Sequence, residues 1–152
     1  MFTVVYFRYS RLIISVFYGG VSKDKWCTFC SKIKPQALEL ADYENESNAV
    51  EATHESLLNT LAFAPSSSGA AEEPLSSARP ARVLVLFTAE GKPAGLALYF
   101  YNYSTWRSKP GIYLEDLYVR VSERGHGHGQ KLLGMLAQEV LDMNGGGWSG
   151  AC

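Results

Sequence analysis

The clearest pattern in the chain is a set of apolar runs separated by turn residues between Arg82 and Val121. "RVLVLFT" is dense in β-branched and aromatic residues and predicts a strand. "AEGK" predicts a turn, with Gly91 supplying a backbone that tolerates positive φ. "PAGLALYFYNY" predicts the second arm of a hairpin, and after "STWRSKPG" the run "IYLEDLYVRV" predicts a third strand. The period then changes. Leu132, Leu133, Leu136, Val140 and Met143 recur close to every 3.6 residues, which predicts an amphipathic helix, and "NGGG" marks its end.

The first half is less regular. Residues 1–20 are rich in β-branched and aromatic types and predict one or two strands. "GGVSKDKWCTFCSKIKP", residues 19–35, reads as a loop, and a helix is expected from about Gln36 to Glu44. Thr53 signals a second, short helix. Its side-chain oxygen can cap free amides, Glu55 suits the first turn, and Leu57, Leu58 and Leu61 give an apolar side. "APSSSGAAEEPLSSARP", residues 64–80, is polar and low in complexity, so a flexible loop between packed elements is expected there. With 152 residues and no internal repeat, a single α/β domain over 1–152 is expected.

Composition narrows the partners. The formal net charge is -1 and there is no long basic run, which argues against nucleic acid. The three cysteines are an odd number without a secretory pattern, so a reducing, cytoplasmic compartment is expected. At the N-terminus, Arg8, Ser10 and Arg11 break the apolar stretch, and Leu12 to Tyr18 is too short to span a bilayer. A buried strand or helix is favoured there over a signal anchor, and no membrane partner is expected.

The chemistry concentrates in "ERGHGHGQKLLG", Glu123 to Gly134. Two histidines two residues apart suggest metal ligands, but His54 is far away in sequence and "CTFC" lacks a second pair at zinc-like spacing. No metal is therefore expected. The glycines offer another reading. Between a strand and a helix they allow successive amides to point inward, and such a nest at a helix N-terminus binds phosphate. Arg124 adds positive charge at its mouth. A plain tight turn remains the alternative, because glycine-rich loops are a weak signal alone.

Arg124-x-x-Gly127-x-Gly129, after a strand and opening a helix, resembles the acetyl-coenzyme A pyrophosphate loop of the GNAT N-acetyltransferases. "ALELADYENESNAVEATHESLLNTL" resembles the first two helices of that family's polyamine (spermidine/spermine diamine) and thialysine acetyltransferase branch, and "ALYFYNYSTWRSKPGIYLEDLYV" resembles its central strands. The resemblance covers about Gln36 to Asn144. It implies a GNAT fold, with a mostly antiparallel sheet flanked by helices. It also implies transfer of acetyl from acetyl-CoA to a primary amine of a small molecule, without a covalent enzyme intermediate. "YSTW" has no acid where polyamine-specific relatives tend to have one, so a thialysine-like amino acid is slightly favoured.

The resemblance also assigns positions. Backbone groups of Leu117, Tyr118 and Val119 would hold the pantetheine arm. Arg124 and the amides of Gly125, His126, Gly127, His128, Gly129 and Gln130 would hold the pyrophosphate. Glu115 and Asp116 fill the "LED" acidic pair, and Tyr43 and Glu44 match a pair at the amine pocket. His126 and His128 fall at variable loop positions, so no catalytic role transfers to their side chains. An alkyl ammonium has a reference pKa of about 10, so it must lose a proton before it attacks a thioester. Carboxylates attract the cation and can relay that proton, and Glu115 is the first choice for the catalytic role. A strand amide near Leu117 can polarise the thioester carbonyl. Adjacent strand residues point to opposite faces, so one of Glu115 and Asp116 is expected to be a bystander unless a bulge re-aims it. Trp106 and Tyr103 suit either a cation–π wall for the amine or plain hairpin packing. Cys27 and Cys30 are read as unrelated thiols rather than a redox pair.

Two regions depart from the family pattern. Residues 5–35 do not match its usual strand-to-helix turn. "GGGWSGAC", residues 145–152, stops where family members continue into further strands and a helix bearing a tyrosine that protonates the departing thiolate. The expectation is a sheet left incomplete after the coenzyme A-binding helix, with one edge of the acidic strand unpaired, in a truncated or mis-spliced product. The rival class is a non-catalytic module that binds acetyl-CoA or dimerises through that edge, and a homodimer is compatible with either.

Overall fold

The structure is a computed structural model that describes residues 5–9, 12–16, 23–62 and 75–150, with side chains over 31–62 and 75–150. Six strands form one sheet in chain order: β1 (Val5–Tyr9), β2 (Leu12–Val16), β3 (Ala81–Thr88), β4 (Pro93–Ser104), β5 (Lys109–Val119) and β6 (Trp148–Gly150). Neighbours from β1 to β5 are antiparallel, and β6 runs parallel to β5. Helices α1 (Lys23–Tyr43) and α2 (His54–Thr60) come before β3. Helix α3 (His128–Asp142) is the crossover that a parallel β5–β6 pair requires. Among the described residues no helix is long and apolar enough to cross a membrane.

Alternation along the strands feeds two cores, one on each face. Leu84 and Leu86 of β3 join Ala97, Tyr99, Ile112 and Leu114 beneath Leu132, Leu136 and Val140 of α3. Their neighbours Val85 and Phe87 point the other way, with Leu96 and Tyr118, against Ile33 of α1 and Leu61 beyond α2. A strand covered on both faces reads as a continuous apolar run, which is why "RVLVLFT" does not alternate. Each large side chain buried in these cores contributes about 1.5–3 kcal/mol.

The expected elements from Thr53 onward are present. Thr53 Oγ1 accepts from the Ser56 amide at 3.0 Å, and the Thr53 amide donates to Ser56 Oγ at 2.9 Å, a capping box closed by serine. Gly91 turns the β3–β4 hairpin at φ 77°. Asn144, at φ 51°, ends α3.

Three expectations need correction. Residues 23–35 are helix, not loop, so α1 spans 21 residues with Pro35 inside it. A proline in a helix interior costs about 3 kcal/mol, and here burial of Ile33 against the sheet works against that cost. The Gln36 amide also donates to the Lys32 carbonyl at 3.1 Å. Second, the end of the "flexible" 64–80 segment is built: Ser76 and Arg79 exchange backbone hydrogen bonds at 3.0 and 3.2 Å. The Arg79 guanidinium then donates to the carbonyls of Leu58 and Leu61 at 2.6 and 2.9 Å, tying down the end of α2. Residues 63–74 lie outside the described residues. Third, the tail does not leave β5 bare: Ile112 pairs with Trp148 and Leu114 with Gly150. Glycines make this return possible. Gly146 N–H donates to the Pro110 carbonyl at 2.8 Å, and Gly147, at φ 133°, accepts from Ile112 N–H at 3.3 Å. Among the described residues, Glu115–Val119 of β5 has no strand on that side.

Candidate functional site

A bulge in β5 sets the geometry. Leu98 pairs with Asp116 and Tyr99 with Leu114, so Glu115 is an extra residue with no partner of its own on β4. The insertion reverses the alternation. Leu114 lies in the core beneath α3. Asp116, two residues on, stands opposite Leu98, which packs on the α1 side. Glu115 is exposed and Asp116 half-buried. Burial raises the Asp116 carboxyl above its ordinary value, and the negative charges of Glu115 and Glu44 push it the same way. Glu44 directly follows α1, so the end of that helix and the bulge bring three carboxylates into one electrostatic group.

Past the bulge, Leu117 is partly exposed while Tyr118 is buried. The Tyr118 hydroxyl donates to Glu39 of α1 at 3.4 Å. Burial, together with the Glu39 charge, raises the Tyr118 phenol above its ordinary value. Arg120 grips the same carboxylate with two hydrogen bonds, of 2.9 and 2.7 Å.

A single turn at Val121–Glu123 then leads into the glycine loop. Gly125 and Gly127 take φ of 81° and 73°, on either side of His126, and α3 begins at His128. A Cβ at Gly125 would meet nothing within 4 Å, and one at Gly127 only Gln130 Oε1, at 3.8 Å. These glycines therefore serve the backbone angle, not close packing, and the space before them is open. Among the described residues no backbone carbonyl accepts from the amides of Gly125, His126 or Gly127. The first amides of α3 add to them, because a helix leaves its first N–H groups without internal partners. Unpaired amides at the positive end of a helix fit an anion such as phosphate.

The histidines lie at this loop in different ways. His126 Nδ1 lies 3.3 Å from the Glu123 carbonyl, within hydrogen-bond reach. His128 is buried, with Nε2 3.8 Å from the Glu123 carboxylate, and its ring stacks on His126 at 5.7 Å. Burial lowers the His128 imidazole below its ordinary value, and Lys131 adds to the effect. Among the described residues no three His, Cys, Asp or Glu side chains are grouped to hold a metal ion.

Other expected residues lie apart. Tyr43 is exposed, and its ring lies under the Arg124 guanidinium at 4.5 Å. It thus faces the glycine loop, whereas its neighbour Glu44 acts on Asp116. Trp106 is 98% exposed and Tyr103 62%, so hairpin packing does not describe them. Tyr103 pairs with Pro110 near the hairpin tip, roughly 17 Å along the strand from the bulge at ~3.4 Å per residue. The side chains of Cys27 and Cys30 lie outside the described residues. Sequence reasoning missed Glu39 and Arg120, which are 81 residues apart and carry no local signal of their pairing.

Residues 43–147 match the Acetyltransferase (GNAT) family. The chain belongs to the GNAT acetyltransferase family. Thialysine N-epsilon-acetyltransferase of Bos taurus is 35% identical over 118 residues, which cover 74% of this chain and 62% of that protein. Spermidine/spermine N(1)-acetyltransferase-like protein 1 of Homo sapiens is 34% identical over 113 residues, covering 74% of this chain and 15% of that protein. This GNAT chain thus spans 62% of the length of the thialysine acetyltransferase it matches. Among solved structures, an integron cassette protein from the mobile metagenome of V. cholerae has a TM-score of 0.61 at 19% identity, covering 95% of this chain and 76% of that one. Ribosomal-protein-alanine N-acetyltransferase from Brucella melitensis biovar Abortus 2308 has a TM-score of 0.58 at 15% identity, covering 91% and 78%. At those identities the likeness concerns the fold, which is the GNAT α/β arrangement.

Proposed function

We propose that this chain transfers an acetyl group from acetyl-coenzyme A to a primary amine of a small molecule. The observation that carries the reading is β5 and its sequel. One strand places a half-buried Asp116 among Glu44 and Glu115, and its continuation opens into amides that lack backbone acceptors. A site for a cation and a site for an anion therefore adjoin on one stretch of chain.

Acetyl-coenzyme A supplies the activated acetyl thioester. The amides of Gly125 to Gln130, with the positive end of α3, suit its pyrophosphate, and Arg124 lies beside them. Leu117 to Val119 have an edge with no strand neighbour among the described residues, and such an edge can accept an extended arm in the manner of an added strand. The three carboxylates attract the substrate ammonium. Asp116 is the better proton acceptor, because its environment raises its affinity for a proton towards what a general base needs near neutral pH. Glu115, the first choice on sequence, is exposed and serves in this reading to attract and orient the amine. Three acidic groups suit a substrate with more than one positive charge, such as a polyamine or a thialysine-like amino acid, and the names of the relatives agree with that class.

A second reading, a module that binds acetyl-coenzyme A without turnover, is favoured by the exposed edge at Glu115–Val119. Calorimetry with acetyl-coenzyme A, followed by assays on diamines and lysine analogues, separates the two. Binding with turnover supports the enzyme, and binding alone supports the module. No binding sinks both. Gly127→Val is expected to abolish binding, since valine opposes φ near 73°. Asp116→Asn is expected to keep binding and lose about 10²-fold or more in turnover.

A further inference from the structure

Two contacts with matching spacing join the last two turns of α1 to the end of β5 and the start of the glycine loop. Glu39 accepts both hydrogen bonds from Arg120, at 2.9 and 2.7 Å. One helical turn later, Tyr43 lies under the guanidinium of Arg124 at 4.5 Å. Residues 39 and 43 share a helix face. Arg124 also donates from Nε to the Val119 carbonyl at 3.0 Å, so its guanidinium is held from two sides. Tyr43 is 62% exposed, and a contact this open adds little to folding stability. The peptide that leaves Arg124 begins the row of amides without backbone acceptors.

We propose that Tyr43 and Arg124 are positioning residues for the anion cradle. The aromatic ring holds the guanidinium, and the guanidinium sets the direction of the loop amides. The same helix end thereby serves both halves of the site, Tyr43 towards the cradle and Glu44 towards Asp116. The proposal rests on the acetyl-coenzyme A reading for the identity of the anion alone.

The test compares wild type, Tyr43→Leu and Tyr43→Phe by amide order parameters at Gly125–Gly127 in the free protein and by calorimetric titration with coenzyme A. Tyr43→Leu is expected to lower those order parameters from about 0.85 towards about 0.6. It should weaken coenzyme A binding about two- to fivefold, the range of an exposed cation–π contact. Tyr43→Phe keeps the ring face, so it should match wild type in both, which a role for the hydroxyl would not allow. In an Arg124→Ala background, Tyr43→Leu should have no further effect. Unchanged order parameters in Tyr43→Leu, or an equal effect with and without Arg124, would overturn the proposal. If the order parameters shift as expected but wild type binds no coenzyme A, the positioning role stands and the acetyl-donor reading fails.

Discussion

At Asp116 the fold works against the ionised carboxylate. Burial, Glu115 and Glu44 all raise its affinity for a proton, whereas the unfolded chain holds it near the reference value of about 3.9. Between those two values the native state is protonated and the unfolded state is not. Stability contributed by that proton is full below the unfolded value and is lost as pH rises through the folded one. Asp116→Asn is therefore expected to be more stable than wild type at pH 7, with the advantage disappearing as pH falls towards about 4. Melting temperatures measured across that range check it, and a constant difference at every pH would refute it. The same residue shows where sequence reading stops. The "LED" pair was legible, but the choice within it was not. One unpaired residue in the β4–β5 register decides which carboxylate faces α1, and pairing register is not written in the strand itself.

Elements were legible where their signals are local. Thr53 and Ser56 lie three residues apart, and the capping box they form needs nothing from elsewhere in the chain. Thr53→Ala should therefore cost about 1 kcal/mol, read as a lower midpoint in urea with an unchanged slope. Helix α1 shows the opposite case. Locally, Pro35 and the polar run before it argue for a loop. Burying Ile33 against the sheet favours helix over residues 23–35. The tail behaves in the same way. "GGGWSG" reads as an irregular end, yet Trp148–Gly150 pairs with β5 because three glycines let the chain turn back beside Pro110 and Ile112.

Across the whole molecule, a half-buried carboxylate ties the α3 layer to the sheet. Glu139 accepts hydrogen bonds from the Tyr99 and Tyr101 hydroxyls, and Arg82 of β3 donates to Tyr101 at 2.9 Å. Arg82 also lies 3.6 Å from Glu139 itself. Burial, then Glu139, raises the Tyr99 phenol far above its ordinary value, so it stays a donor at any working pH. Glu139→Ala leaves two hydroxyls without their acceptor and Arg82 without its ion-pair partner, and should cost about 3 kcal/mol. Tyr99→Phe removes one bond and keeps the ring, so about 1 kcal/mol is expected. Chemical denaturation of both variants checks the order, and equal losses would contradict it.

What the sequence by itself determined is local and periodic. It fixed the β3–β4–β5 run, the capped α2, the amphipathic α3 and the glycine loop between strand and helix, because each follows from spacing, capping or permitted φ within a few residues. It also carried the family, through motifs that keep their spacing along the chain. The tertiary structure alone decided which carboxylate faces α1, what Tyr43 touches, how Glu39 meets Arg120, and that the tail becomes a strand. Each of those depends on residues distant in the chain meeting in space, and on burial energies that no local pattern encodes.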